Sequence, residues 1–170
     1  MEIDRQRVLK SKVFELDRVV LRGGGERHVV VHGGSVVVLP VTGDGRIVLI
    51  RNDRFAIGQT LWELCAGTLE PGEEPARCAA RELVEETGYQ AGSLDPLCGY
   101  YTCPGFCTEY LHCFLAAGLE HVGQSLDEGE KIEVEALPAP RVMEMIRSGQ
   151  VRDAKTIATV LYWWTFRHGR

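Results

Sequence analysis

The order of strand-like and helix-like patterns predicts an α+β fold for this chain of 170 residues. Short apolar segments bounded by turn residues, which are typical of strands, follow one another along the N-terminal part of the chain. Helical periodicity is confined to three segments, two of which lie near the C-terminus. Because strands and helices do not alternate as in repeated βαβ units, a mixed arrangement is favoured over a wholly parallel sheet.

Several segments have the length and composition of β-strands. They are residues 12–21, 26–32, 35–41, 46–51, 62–65, 92–102, 108–117 and 132–136. The first two flank three consecutive glycines and are predicted to form a hairpin. The third and fourth are predicted to form a second hairpin, because the turn between them ends in Asp44-Gly45, a strong hairpin signal.

Helices are predicted at about residues 74–87, 139–148 and 152–167. In the first of these, Pro75 stands in the first turn and Gly88 follows the end, which is the usual asymmetry of helix termini. The polar and acidic segment 119–131 is predicted to be a mobile loop.

Residues 1–170 are expected to form one domain, since the length suits a single core and no linker or internal repeat is visible. The formal net charge of −5 argues against nucleic-acid or membrane-surface binding, which requires basic patches. No apolar run approaches the roughly 20 residues of a membrane span. The N-terminus also lacks the apolar core of a secretory signal, so a cytoplasmic location is predicted.

Three carboxylates lie close together on the first predicted helix. Glu82, Glu85 and Glu86 are spaced i, i+3 and i+4, which places them on one face, with apolar residues on the other. Like charges at this spacing destabilise an isolated helix. A hard divalent cation would explain the cluster, because Mg²⁺ prefers oxygen ligands. On spacing alone, a solvated acidic face explains the cluster equally well.

The surrounding residues carry a longer pattern. It consists of Gly, five residues, Glu, seven residues, then Arg-Glu-aliphatic-x-Glu-Glu-x-Gly-hydrophobic. This pattern resembles the signature of the Nudix hydrolases, and a match over so many fixed positions is more specific than a short glycine motif. The matching residues are Gly67, Glu73, Arg81, Glu82, Leu83, Glu85, Glu86, Gly88 and Tyr89.

The resemblance to the Nudix hydrolases sharpens the fold to an α/β/α sandwich around a mixed sheet. It implies that Glu82, Glu85 and Glu86 bind Mg²⁺, with Mn²⁺ as a substitute, and that the backbone carbonyl of Ala66 assists them. It also implies that Arg81 orients the acidic cluster by charge-assisted hydrogen bonds. Glu73 would brace the preceding loop. Gly67, like Gly88, is expected to supply backbone geometry, because glycine reaches positive φ readily.

Three further segments resemble the ADP-ribose pyrophosphatases within that family. They are RNDRFAIG, WELCAGTLEPGE and CPGFCTE. By this resemblance Arg54 contacts the diphosphate or ribose and Glu109 contacts ribose, with Arg27 and Pro104 as further substrate-binding candidates. Exposed Arg and Glu residues are common in any protein, so each assignment depends on the resemblance. Cys65 stands where the ADP-ribose pyrophosphatases usually have Pro, and Asn52 stands where Gln is common. Both positions are at the rim of the expected substrate site, and neither departure removes a catalytic group.

The acidic loop DEGEKIEV resembles the loop that carries the general base in ADP-ribose pyrophosphatases. By that match Glu128 is the base and Glu130 contacts metal or water. A mobile acidic loop is more often only solvated, and the alternative base is Glu85 on the helix.

The sequence therefore predicts a Mg²⁺-dependent pyrophosphatase that cleaves ADP-ribose into AMP and ribose 5-phosphate. The alternative substrates for such an enzyme are GDP-mannose and a dinucleotide such as FAD. A non-catalytic nucleotide-binding sensor is the alternative from another class, which a missing signature glutamate would favour. The resemblance also implies a homodimer in which the N-terminal hairpin, about residues 12–32, reaches the partner.

Overall fold

The computed structural model describes residues 2–126, 129 and 131–169. Its strands are β1 (Glu2–Lys10), β2 (Phe14–Leu21), β3 (Glu26–His32), β4 (Ser35–Pro40), β5 (Arg46–Arg54), β6 (Gln59–Glu63), β7 (Cys65–Thr68), β8 (Tyr89–Gln90), β9 (Ser93–Tyr101), β10 (Tyr110–Ala117), β11 (Glu120–His121) and β12 (Ile132–Pro138). Its helices are α1 (Pro75–Thr87), α2 (Ala139–Arg147) and α3 (Ala154–Phe166). No helix among these residues is long and apolar enough to cross a membrane.

The central sheet is mixed and has the strand order β7-β4-β10-β9. Strands β4 and β10 run parallel, whereas the outer strands pair with them in antiparallel fashion. A second, antiparallel sheet has the order β12-β5-β6, and the N-terminal strands form a third sheet, β1-β2-β3. The short strands β8 and β11 pair with each other.

The central strand β4 is buried along its whole length and separates two hydrophobic clusters. Val36 and Val38 pack with buried residues of α1, while Val37 and Leu39 pack with those of α2 and α3. Successive side chains of a strand point to opposite faces, so a continuously apolar strand needs helices on both sides. The α+β class and the α/β/α sandwich around a mixed sheet are thereby confirmed.

The predicted hairpin of residues 35–41 and 46–51 is wrong. The turn forms, since the Gly45 N–H donates to the Thr42 carbonyl over 2.9 Å. Beyond it, a single bridge joins Val41 to Ile47, and the two strands then enter different sheets. Because β4 pairs with β7 and β10 while β5 pairs with β12 and β6, both edges of each strand are already occupied.

Two other strand predictions needed tertiary information. The predicted strand 62–65 is in fact the junction of β6 and β7, which meet at Leu64 and belong to different sheets. The predicted N-terminal hairpin has a third strand, β1, whose mostly polar sequence shows little strand pattern. Arg7 of β1 donates to the buried Asp17 of β2 over 3.0 Å, so an ion pair supports this pairing.

Candidate active site

Helix α1 presents its acidic face to a cleft of about 670 Å³. Its opposite face is buried, because Cys78, Ala79 and Leu83 pack against the central sheet. We call this space the acidic cleft. Its lining residues are Lys12, Val13, Asn52, Arg54, Ala66, Gly67, Thr68, Leu69, Glu70, Pro71, Arg81, Glu82, Glu85, Glu86 and Ser125. The three signature carboxylates are therefore brought together, as the helical spacing predicts.

Glu86 lies at the contact between α1 and β7. Only 6% of its surface is exposed, and its Oε2 accepts a hydrogen bond from the Ala66 N–H over 2.9 Å. A buried carboxylate needs such a donor because desolvation disfavours its charge. The bond also places the backbone of Ala66 beside the acidic face, where the resemblance expects a carbonyl ligand.

Gly67 permits a close approach between β7 and α1. A Cβ atom built at this position would lie 1.9 Å from the carboxyl carbon of Glu82, far inside contact distance. The φ of Gly67 is not positive, so the expected need for positive φ is wrong here. It is correct for Gly88, which ends α1 with φ of 73° and donates to the Val84 carbonyl.

Arg81 forms hydrogen bonds with three of the four glutamates in the signature pattern. Its Nη1 donates to Glu82 over 2.7 Å and to Glu85 over 2.9 Å, and its Nε and Nη2 each donate to Glu73 over 3.1 Å. These hydrogen bonds from Arg81, helped by the Glu70 N–H, lower the pKa of Glu73 to about 2. The arrangement has the geometry expected if Arg81 orients the acidic cluster and Glu73 braces the loop.

The donor set suits a hard divalent cation, since it offers carboxylate oxygens beside a backbone strand. As these side chains stand, however, no three acidic, His or Cys side chains in the described part of the chain converge on one cation position. Arg81 engages one oxygen of Glu82 and one of Glu85, and these bonds do not exclude a cation because a carboxylate oxygen has two lone pairs.

A second space, of about 370 Å³, adjoins the acidic cleft. We call it the adjoining cleft. Its lining residues are Ser35, Arg54, Ala66, Gly67, Thr68, Thr102, Glu109, Leu111, Asp153, Ala154 and Lys155. Arg54 and the β7 residues Ala66 to Thr68 line both clefts, so they form a wall that the two share.

Glu109 lies in the adjoining cleft with its carboxylate held at both oxygens. Oε1 accepts from the Ser35 hydroxyl over 2.7 Å, and Oε2 accepts from the Thr102 hydroxyl over 2.9 Å. Each oxygen keeps further acceptor capacity, because a carboxylate oxygen has two lone pairs. The side chain is therefore fixed and still able to accept from a ligand hydroxyl.

Arg54 is paired with a residue that the sequence analysis left without a role. Its Nε and Nη2 donate to the two oxygens of the fully buried Glu63, over 2.8 and 2.6 Å. Lys155 also donates to Glu63. Burial raises the pKa of the Glu63 carboxyl, but the bonds from Arg54 and the charge of Lys155 outweigh burial, so the pKa lies below its ordinary value. Arg54 and Glu63 both lie in segments that carry the resemblance, but no regular spacing along the sequence links the two residues.

The remaining candidates lie elsewhere. Arg27 is exposed, donates to the backbone carbonyl of Glu26 and lines neither cleft. Pro104 is exposed in the loop whose ends carry Thr102 and Glu109. Glu128 and Glu130 fall outside the residues that the structure describes.

Comparison with known proteins places these features in context. A model of the NUDIX domain matches residues 31–160. The ADP-ribose pyrophosphatase of Bacillus subtilis is 39% identical over 166 residues, which cover 94% of this chain and 90% of that protein. The GDP-mannose pyrophosphatase of Salmonella typhimurium is 34% identical over 176 residues, covering 93% and 92%. A crystal structure of an ADP compounds hydrolase shares the fold with a TM-score of 0.82 at 20% identity, covering 97% and 92%.

Proposed function

This chain belongs to the Nudix hydrolase family, and on that premise we propose that it hydrolyses the diphosphate bond of a nucleoside diphosphate sugar, with ADP-ribose as the preferred substrate. Water adds to one phosphorus and the bridging P–O bond breaks. The products are AMP and ribose 5-phosphate. The ADP-ribose pyrophosphatase of B. subtilis, at 39% identity over most of both chains, supports this choice of substrate.

The observation that carries the proposal is the wall shared by the two clefts. On one side of it lies the acidic face of α1, and on the other lies Glu109, with Arg54 reaching both. A diphosphate at Arg54 would place its bridging oxygen near the acidic face and its sugar hydroxyls near Glu109. Guanidinium is well matched to phosphate because it offers planar paired donors.

The residues proposed to hold a divalent metal are Glu82, Glu85 and Glu86, with the Ala66 carbonyl. Mg²⁺, or Mn²⁺ in its place, would supply charge neutralisation on the phosphoryl oxygens and a water of lowered pKa. Arg81 keeps the carboxylates oriented. Arg54 in the wall and Glu109 in the adjoining cleft hold the substrate.

Glu128 is the proposed general base, with Glu130 as a neighbouring contact and Glu85 as the alternative base. The segment before this loop is bound to the end of α1. The Ser125 N–H donates to the Glu85 carbonyl over 3.1 Å, and Ser125 lines the acidic cleft. This position supports a base that reaches the acidic cleft from the following residues.

GDP-mannose is the second candidate substrate, and it is favoured by the 34% identity to the Salmonella GDP-mannose pyrophosphatase. The two substrates share the diphosphate and differ in base and sugar. A homodimer and a cytoplasmic location belong to the proposal as well. The free state of all six cysteines supports a reducing compartment.

The test is a substrate panel of ADP-ribose, GDP-mannose and FAD with Mg²⁺, with Mn²⁺ and with a chelator, in which products are identified by mass spectrometry. We expect AMP and ribose 5-phosphate from ADP-ribose with metal, and none with chelator. If GDP-mannose is turned over faster than ADP-ribose, GDP-mannose takes the place of ADP-ribose as the proposed substrate. Binding of ADP-ribose without turnover of any compound would favour the sensor function instead.

A further inference from the structure

The loop between β9 and β10 carries two cysteines one turn apart. The N–H groups of Phe106 and Cys107 both donate to the Cys103 carbonyl, over 3.1 and 2.9 Å. A bond from residue i+4 back to residue i closes a single helical turn. Residues at this spacing on a helix have Cβ atoms about 5–6 Å apart. The side chains of Cys103 and Cys107 are therefore neighbours on a short turn.

This pair is accessible, in contrast to the other neighbouring cysteines. Among the six cysteines, all of which the structure describes, only Cys103 is exposed, and Cys107 is half-buried. Cys98 and Cys113 lie opposite each other on β9 and β10. Cys113 is buried, however, and burial raises the pKa of the Cys98 thiol to about 12. Because the thiolate is the reactive form, an oxidant in solution reaches Cys103 more readily than the pair between the strands.

Strand β3 holds the loop on the side of Cys107. The Val30 N–H donates to the Phe106 carbonyl over 2.8 Å, and the Thr108 N–H donates to the Val30 carbonyl over 2.9 Å. These backbone bonds fix the residues on both sides of Cys107. If the turn changes shape, the part that moves is therefore the side of Cys103.

The residue before Cys103 is part of the adjoining cleft. The Thr102 hydroxyl donates to Glu109 Oε2 over 2.9 Å, and the Thr102 N–H donates to the Glu109 carbonyl over 3.2 Å. Both residues line the adjoining cleft. A movement of Cys103 would therefore act on a hydrogen bond that fixes the Glu109 carboxylate.

We propose that Cys103 and Cys107 form a reversible disulfide on exposure to hydrogen peroxide, and that this bond loosens Glu109 and weakens substrate binding. The Cys103 thiolate attacks one peroxide oxygen, the O–O bond breaks, and the products are a sulfenic acid and water, which carries the thiol proton. The Cys107 thiol then attacks that sulfur, the S–S bond forms, the S–O bond breaks and a second water leaves. Two thiols are thus oxidised while one peroxide is reduced to two waters.

The disulfide acts on the site because the turn must tighten to form it. A disulfide needs Cβ atoms about 3.5–4.5 Å apart, which is closer than the spacing of a helical turn. The turn has room to tighten, because a Cβ built on Gly105 would meet nothing within 4 Å. With Cys107 held by β3, tightening moves Cys103 and draws Thr102 from Glu109. An exposed and strained disulfide is readily reduced, so a dithiol reductant restores the turn.

The effect on the substrate rests on the proposed function, because Glu109 is there assigned to the sugar hydroxyls. The formation of the disulfide does not rest on it. The test therefore measures the bond and its effect separately, on reduced protein and on protein treated with hydrogen peroxide.

The bond is detected by digestion with chymotrypsin, which cuts after aromatic residues. Without reductant, cleavage releases residues 102–106 and 107–110 as two peptides, and mass spectrometry shows whether they are joined. Steady-state kinetics on ADP-ribose at saturating Mg²⁺ measure the effect. We expect joined peptides and a KM raised about tenfold with a smaller change in kcat, as for loss of one hydrogen bond to a charged group. Dithiothreitol should restore the parental KM.

Cys103→Ser is the deciding variant, because a hydroxyl cannot form the bond. Its KM should be parental both before and after peroxide. Cys98→Ser is the matched control, since it removes a half-buried thiol of the other pair and leaves the turn intact. It should respond to peroxide as the parent does. A response that persists in Cys103→Ser would overturn the proposal, as would separate peptides after peroxide or joined peptides with an unchanged KM.

If the parent does not hydrolyse ADP-ribose, the proposed function fails separately. The digest still decides whether the disulfide forms, because it does not use turnover. Calorimetric binding of ADP-ribose to the reduced and the oxidised protein then takes the place of KM. Weaker binding after oxidation would support the inference, and equal binding, or none in either state, would contradict it.

Discussion

Glu86 and Gly67 act on the site through the contact between α1 and β7. Glu86 accepts from the backbone of Ala66, and Gly67 leaves the space that the Glu82 carboxyl occupies. Each residue therefore sets a distance between backbone and carboxylate rather than adding bulk to the core. Substitutions at these positions should affect catalysis more than folding.

Glu86→Gln should lower kcat/KM for ADP-ribose at least about a hundredfold, because it removes one proposed metal-binding charge while keeping the shape. The melting temperature should change little, since the amide oxygen can still accept from Ala66. Glu82→Gln should behave alike and Glu85→Gln more mildly. Glu74→Gln, at the exposed start of the same helix, is the control. Near-normal turnover at saturating Mg²⁺ would remove Glu86 from the metal site.

Gly67→Ala should reduce activity more than it lowers the melting temperature, because its Cβ would collide with the Glu82 carboxyl, the end of a flexible side chain that can shift away. Gly43→Ala is the matched control, since a Cβ there meets nothing within 4 Å and its φ is not positive. A Gly67→Ala enzyme with full activity would show that the Glu82 carboxyl is not needed at the position that Gly67 leaves open.

At the scale of elements, α1 organises the segment that precedes the proposed base. The Val122 N–H donates to the Gly88 carbonyl over 2.8 Å, and the Gln124 amide donates to the Glu86 carbonyl over 2.6 Å. A Cβ on Gly88 would lie 2.9 Å from the backbone of Gly123 and Gln124, so this contact is close. The end of α1 thus sets the point from which the acidic loop departs.

Glu128→Gln should lower kcat at least about tenfold and leave metal and substrate affinity nearly unchanged. This bound is set below the roughly 10²–10⁴-fold that is usual for a general base, because Glu130 can substitute in part. Single-turnover kinetics at saturating substrate measure the effect. If Glu130→Gln is slow and Glu128→Gln is as fast as the parent, the base is Glu130. Full kcat in both variants and in the double variant would direct attention to Glu85.

At the scale of the whole molecule, the buried Glu63 ties the β5-β6 hairpin to α3. Its pKa lies below the ordinary 4.5 because its bonds to Arg54 and Lys155 outweigh burial. A carboxyl with a lowered folded-state pKa contributes stability that is complete above the ordinary value. That contribution is lost as the pH falls below 4.5 toward the folded-state value.

Glu63→Gln should therefore be less stable than the parent at neutral pH, and the difference should shrink as the pH falls below about 4.5. Urea unfolding over a pH series from neutral to about 3 measures it. Glu133→Gln should track the parent, because its ion pair is exposed and contributes little. A difference that stays constant across the series would mean that the charge of Glu63 does not stabilise the fold.

The N-terminal sheet and the turn between β1 and β2 expose apolar side chains, among them Val8 (48%), Val13 (54%) and Phe14 (39%). We expect it to pair with a second copy, so light scattering after gel filtration should give twice the mass of one chain. Val8→Asp should shift the measured mass toward that of one chain, because the dimer contact would have to bury an unpaired charge. Val122→Asp, at a residue that is similarly exposed and lies outside the N-terminal sheet, is the control. A monomeric parent would exclude the dimer at the concentrations tested.

Local patterns predicted every helix and most strands of this chain because their signals lie within a few residues. The spacing of Glu82, Glu85 and Glu86, with Pro75 and Gly88 at the ends, predicted both α1 and its acidic face. The ranges for α2 and α3 agree with the structure to within two residues at each end. Patterns of this kind depend on periodicity alone, so they need no knowledge of the neighbours.

What the amino-acid sequence determined by itself is thus the order of the helices and of most strands, the layered class and the acidic helix of a Nudix hydrolase. The tertiary structure alone decided that β4 and β5 enter different sheets. It also decided that the Glu82 side chain lies where a Cβ of residue 67 would be, and that Glu63 pairs with Lys155, 92 residues away. The physical reason is that sheet partners and buried ion pairs are chosen by long-range packing. A local pattern records which side chains must be buried, but not what buries them.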